Sequence, residues 1–184
     1  MSLEPVVPNA DYVNRLLATL PESERSPLRL GMTLIRLSRI SESLLERSAI
    51  DFGLNSSEAT TLSALLLSGP PHQMLPSEIT RRVAHTSAGV TGILRRLETK
   101  QLVSRRADPS DGRRVFATLT PQGEQLIREF LRHRATMFAG YFGDIDPDDL
   151  IAMIDSIGTL LARLERAAGY SPAFNQADIA SPIE

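Results

Sequence analysis

The stretch LPSEITRRVAHTSAGVTGILRRLETKQLVSRRADPSDGRRVFATLT, residues 75–120, decides the fold. Pro76 suits the first position of a helix, where its missing N–H has no partner to lose. Ile79 and Val83 then face inward, and Ala84 and His85 lead into a tight turn. Thr86 is placed to cap a second helix, whose apolar side is Val90, Ile93, Leu94 and Leu97. Residues 102–106 and 113–119 alternate well enough for two short strands, and the polar run 107–112 between them is turn chemistry. The order is helix, turn, helix and β-hairpin wing. In that shape the second helix can enter a DNA major groove while the hairpin tip reaches the flanking backbone or minor groove.

Charge agrees with that shape. Residues 75–120 carry nine bases (Arg81, Arg82, Arg95, Arg96, Lys100, Arg105, Arg106, Arg113 and Arg114) against four acids, a net of +5. The other residues hold eleven bases and eighteen acids, a net of −7. A basic island in an acidic chain is the footprint expected for a polyanion. Eight of the nine bases are arginine, whose fork matches phosphate and guanine bidentately. A solvated charged face would carry the same count, so it is the position in a helix-turn-helix and wing that points to DNA. The helix start is rich in small or hydroxylic residues (Ser87, Ala88, Gly89, Thr91), which suits an N-terminus pressed close to base edges and phosphates. Asp111 is placed to hold Arg113 or Arg114 in a fixed pose at the wing tip, as a narrow minor groove requires.

Working toward the N-terminus, Asn55-Ser56-Ser57-Glu58 reads as a capping box that opens a helix to about Leu67, ended by Ser68-Gly69-Pro70-Pro71. Residues 28–50 read as a long amphipathic helix with Leu30, Leu34, Leu37, Ser41 and Leu44 on one face. Residues 1–27 read as an arm: a loose start, a short helix over 11–20 capped by Asp11, and a polar linker from Pro21 to Pro27. Working toward the C-terminus, Thr120-Pro121 caps a helix from Gln122 to about Phe142. Asp146-Pro147-Asp148-Asp149 opens a last helix, with acids complementing its dipole, and Gly169 closes it. Leu150, Ile154, Ile157, Leu161 and Leu164 repeat along it like a coiled-coil seam. Residues 169–184 read as a polar tail.

The expected fold class is mainly α with a small β-hairpin wing. Residues 54–120 form a winged helix-turn-helix, and residues 28–50 and 121–168 form a long-helix dimerisation region. The two long helices carry more apolar surface than a small winged helix needs, and dimerisation accounts for the surplus. A two-fold dimer sets two recognition helices roughly 34–36 Å apart, one DNA turn, and asks for a near-palindromic site.

The chain has 184 residues and no cysteine, which excludes disulfides and thiolate metal sites and fits the cytoplasm. No signal pattern and no bilayer-length apolar run is visible, so no membrane partner is expected. His72, His85 and His133 are not at metal-ligand spacing. Asp144, Asp146, Asp148 and Asp149 lack the glycine and terminal Glu of a calcium loop. No nucleophile constellation or phosphate loop appears. No enzyme, metal or cofactor is expected.

These residues resemble the MarR family of winged-helix transcriptional regulators, over roughly residues 28–164. The most specific part runs from the PSEI at Pro76, through VTGILRRLETKQLVSRR, to DPSDGRRVFATLTPQG ending at Gly123. The family's Asp-x-Arg and following Leu-Thr fall on Asp111, Arg113, Leu119 and Thr120. Its Leu-Glu-x-x-Gly-Leu-Val-x-Arg falls on Leu97, Glu98, Gln101, Leu102, Val103 and Arg105, with Gln101 where glycine is usual. The resemblance implies a homodimer on palindromic double-stranded DNA near promoters, often a repressor, released by a small aromatic effector. By matching position, Thr86, Ser87, Ala88, Gly89 and Thr91 would face the major groove. Ser77, Arg95 and Arg96 would help at backbone or adjacent bases, Arg113 would enter the minor groove, and Arg105, Asp111 and Arg114 complete the DNA-binding set. Gly92 stands where a base is frequent and Leu75 where a Ser/Thr cap is frequent.

The layout is similar to the urate-responsive branch of the family. Leu20 stands where that branch carries a Trp, and Thr60 near where it carries an acid, so urate is not carried over. An effector pocket between the long helices and the winged region would be lined by Leu34, Leu37, Leu62 and Leu65, although leucines so placed are more often plain core. The alternative function is a winged-helix protein–protein interaction module without DNA binding; the arginines of the wing argue against it.

Overall fold

The computed structural model describes residues 10–83, 87–108, 111 and 114–169, with backbone only for residues 10–12 and Ser87. The elements are α1 (Ala10–Ala18), α2 (Glu22–Ile50), α3 (Ser56–Leu67), β1 (Gln73–Met74), α4 (Pro76–Arg82), α5 (Ser87–Thr99), β2 (Val103–Ala107), β3 (Val115–Leu119), α6 (Pro121–Phe142) and α7 (Pro147–Ala168). The chain divides into two compact units, Met1–Arg47 and Ser48–Glu184.

In the first unit the expected linker over Pro21–Pro27 is instead the start of α2. Glu22 and Glu24 lie in its first turn, where they complement the helix dipole. Pro27 gives up one backbone hydrogen bond early in a 29-residue helix, and the helix carries through it. Arg25 ties the two helices of this unit together. Its Nε donates to the Leu20 carbonyl at 3.0 Å and its Nη2 to the Ala18 carbonyl at 3.2 Å, so the open carbonyls at the end of α1 gain partners.

In the second unit, the capping box at Asn55 forms as read: Asn55 Oδ1 accepts from the Glu58 N–H at 2.9 Å, and Glu58 Oε2 accepts from the Asn55 N–H at 3.1 Å. The core gathers Leu62 and Leu65 of α3, Ile79 of α4, Val90, Ile93, Leu94 and Leu97 of α5, and Ile127 and Phe130 of α6. The wing strands pair antiparallel, Val103 opposite Leu119 and Ala107 opposite Val115. A third strand, β1, pairs with β3 through Gln73–Thr118 and Met74–Ala117, making a sheet of order β1-β3-β2. Two residues are too short to show alternation, which is why the sequence does not announce β1.

The turn from α5 into β2 is fastened to the start of α6. Thr120 caps α6 by accepting from the Gly123 N–H at 3.0 Å, and its hydroxyl donates to the Gln101 carbonyl at 2.8 Å. Gly123 passes so close to the Leu102 carbonyl oxygen that a Cβ would lie 2.0 Å from it. Gln101 itself has φ +60°, the left-handed region that costs any side chain with a Cβ. Helix α7 starts on Asp146, whose carboxylate accepts from the Asp148 N–H at 2.9 Å, and stops at Gly169 with φ +68°. No residue of α7 is buried. Ile151, Met153, Ile154, Ile157, Leu161 and Leu164 are each 46–57% exposed.

Candidate nucleic-acid interface

Helix α5 is two-sided. Val90, Ile93, Leu94 and Leu97 are at most 3% exposed and hold it to the core. Ala88, Gly89, Thr91 and Arg95 lie open on the other side. Ala88, Thr91 and Arg95 follow one another at helical spacing, so they form a single stripe along one face. Of the remaining expected contacts, Ser77 is exposed in the first turn of α4. Arg105, Asp111 and Arg114 are exposed on the wing. Thr86, Arg113 and the side chain of Ser87 lie outside the described residues.

Leu75 opens α4 without a hydroxyl. Its N–H donates to Glu78 Oε2 at 2.8 Å, so the half of the capping box that needs only an acid is in place.

The bases differ in how they are held. Arg105 Nε donates to Glu98 Oε1, joining β2 to α5. Arg114 pairs with Asp108 at 3.6 Å and lies over the Phe116 ring, while its backbone N–H donates to the Asp111 carbonyl at 2.9 Å. The carboxylate that holds Arg114 is thus Asp108, opposite it across the base of the loop. Arg96 and Lys100 converge on Glu58, at 3.2 and 2.7 Å. Among the described residues no acid lies within ion-pair distance of Arg81, Arg95 or Arg106.

Glu58 is the residue the sequence reading leaves at its helix-capping role alone. It is 1% exposed, yet it is charged. Burial pushes its pKa up, but hydrogen bonds from Lys100, the Asn55 N–H and Arg96 outweigh it and hold the carboxyl below its ordinary range. Its place at the third position of α3 is legible in the sequence. Its partners are not, since they lie about forty residues away and only folding brings them together.

For the expected effector pocket, Leu62 and Leu65 are fully buried in α3, and Leu37 is 48% exposed on α2. An open cleft of about 420 Å³ lies beside Leu54, Glu58, Arg96 and Thr99, and none of the four expected leucines lines it. Among the described residues no three His, Cys, Asp or Glu side chains cluster as a metal site. No described helix is long and apolar enough to cross a membrane.

A winged helix-turn-helix with an open, small-residue recognition face and an arginine-bearing wing defines a DNA-binding regulator. The sequence model of the MarR family matches residues 52–114. The HTH-type transcriptional regulator YkoM of Bacillus subtilis is 31% identical over 115 residues, covering 61% of this chain and 73% of YkoM. The repressor YetL of the same organism is 23% identical over 158 residues, covering 86% of this chain and 94% of YetL. Among solved structures, AbsC, a MarR family regulator from Streptomyces coelicolor, is similar with TM-score 0.65 and 24% identity, over 79% of this chain and 97% of AbsC. BpsR of Bordetella bronchiseptica, whose DNA binding is regulated by 6-hydroxynicotinic acid, is similar with TM-score 0.60 and 24% identity, over 72% of this chain and 98% of BpsR. The chain belongs to the MarR family of transcriptional regulators and is not an enzyme.

Proposed function

We propose that the protein is a homodimeric repressor that binds near-palindromic duplex DNA and is released by a small aromatic effector. The observation that carries the DNA part is the two-sided α5, with its buried aliphatic side and its open stripe of Ala88, Thr91 and Arg95. Small residues at the start of the stripe let the helix backbone approach base edges, and an arginine two turns on suits a guanine or phosphate. Arg106 on the wing and the expected Arg113 at its tip reach the flanking backbone and minor groove. The dimer reading rests on α7, whose six large apolar side chains are each about half exposed among the described residues. A second copy laid on them would gain on the order of 1 kcal/mol per side chain, given that each is already half-buried. The effector reading rests on the family resemblance and on what regulates BpsR.

The test is binding of purified protein to genomic fragments that include its own upstream region, with salt titrated and Arg113→Ala compared. Specific complexes that weaken steeply with salt, and weaken further with the variant, support the reading. A folded dimer that selects no fragment overturns it and leaves the interaction-module alternative.

A further inference from the structure

We propose that Glu58 is a positioning residue for DNA reading: it clamps the roll of α5 against α3 and withdraws Arg96 and Lys100 from the DNA footprint into the scaffold. The proposal rests on the DNA-binding reading above and concerns which residues aim it.

The geometry is that of a four-way tie. One carboxylate oxygen accepts from Arg96 Nε at 3.2 Å. The other accepts from Lys100 Nζ at 2.7 Å and from the Asn55 N–H at 3.1 Å. Lys100 also donates to the Gly53 carbonyl at 2.8 Å. A single side chain, 1% exposed, therefore joins the loop before α3, the first turn of α3, the last turn of α5 and the residue just past its end. A desolvated carboxylate with three N–H donors, two of them charged, is strongly directional.

Apolar packing alone would not supply that direction. The aliphatic side of α5 is held by non-directional burial, which tolerates a roll of the helix about its axis. Arg96 follows Arg95 directly, so the two side chains leave the helix about 100° apart. Fixing Arg96 on Glu58 fixes where Arg95 points, and with it the stripe that runs back through Thr91 to Ala88. The resemblance groups Arg95 and Arg96 together as DNA contacts; the structure separates them, one free among the described residues and one tethered to a buried acid.

Glu58→Gln isolates the clamp, because glutamine at the third helical position keeps the capping box while the charge is lost. Operator affinity, affinity for non-specific DNA and the slope of log K against log salt are measured for wild type, Glu58→Gln, Lys100→Met and Arg95→Met, each verified as folded by circular dichroism. The expected result for Glu58→Gln is operator affinity lower by about tenfold, with non-specific affinity no weaker and a salt slope no shallower than wild type, since no phosphate contact is removed and Arg96 and Lys100 are released. Lys100→Met should keep the wild-type slope, whereas Arg95→Met should make it shallower by about 1. A folded Glu58→Gln with wild-type discrimination overturns the proposal, and so does a shallower slope for Lys100→Met. Should Glu58→Gln fail to fold, Arg96→Met is compared in its place, because it releases one tether and leaves Glu58 paired with Lys100. Failure of the wild type to bind any specific DNA overturns the DNA reading itself, before the variants are compared.

Discussion

The winged region and α7 lie in the same unit of the chain and treat their apolar residues in opposite ways. In the winged region most leucines, valines and isoleucines are buried, Leu67 and Val115 being exposed, and several of the charged residues above them are tied to acids: Arg105 to Glu98, Arg114 to Asp108, Arg96 and Lys100 to Glu58. Helix α7 is as well capped as any helix here, yet not one of its residues is buried. A good cap and a heptad-like stripe therefore specify that a helix forms, and say nothing of whether its own chain covers it. The first region buries most of its apolar residues against its own elements, and the second leaves its stripe half exposed among the described residues.

The largest effect that bears on this contrast comes from α7. Replacing Ile154 and Leu161 together by glutamate should leave the winged fold intact, convert the protein to a monomer in sedimentation, and lower operator affinity by about a hundredfold through loss of two-site binding. A variant that sediments with the wild-type mass would mean α7 simply faces water. Next in size is the weld at the wing base. Gly123→Ala places a methyl group against the Leu102 carbonyl oxygen, and should cost about 3 kcal/mol in chemical denaturation, because backbone rather than a side chain must move.

A third test sharpens the contrast through acid. The folded-state pKa of Glu58 lies below its unfolded value, so the stabilisation is fully present above the unfolded pKa and is lost as pH falls through the folded one. Stability measured from about pH 6 down to about pH 3 should fall more steeply in wild type than in Glu58→Gln. Parallel curves would show that the buried carboxylate contributes no such linkage. The smallest effect is a gain. Gln101→Gly relieves the left-handed backbone at φ +60° and should raise the urea midpoint by an amount equivalent to about 0.5 kcal/mol, the relief being partly offset by the freer unfolded chain.

The elements from α3 to α7 are legible in the sequence because their ends are written in short-range chemistry: Asn55 with Glu58, Pro76, Thr120 with Pro121, Asp146 with Pro147, and Gly169. Where the reading departs from the structure, the deciding interaction is remote or too short to leave a pattern. Pro21 and Pro27 bracket a polar run that reads as linker, yet a proline near the start of a long helix removes only one bond. Strand β1 exists only because β3 lies beside it. At the wing both Asp108 and Asp111 could hold an arginine, and strand register brings Asp108 to Arg114. The buried side of α5 is visible from the spacing of Val90, Ile93, Leu94 and Leu97, but the partners of the buried acid proposed to aim its open side require the fold.

The junction at Thr120 and Gly123 turns α6 into a lever. The helix is 22 residues long, about 33 Å at its ordinary rise, and its first turn is held to the base of the wing through Gln101 and Leu102 with no slack between them. A stiff rod fixed at one end passes a tilt along its length to that end as a rotation. A push that tilts α6 as a whole would therefore turn the root of the wing and the end of α5 with it.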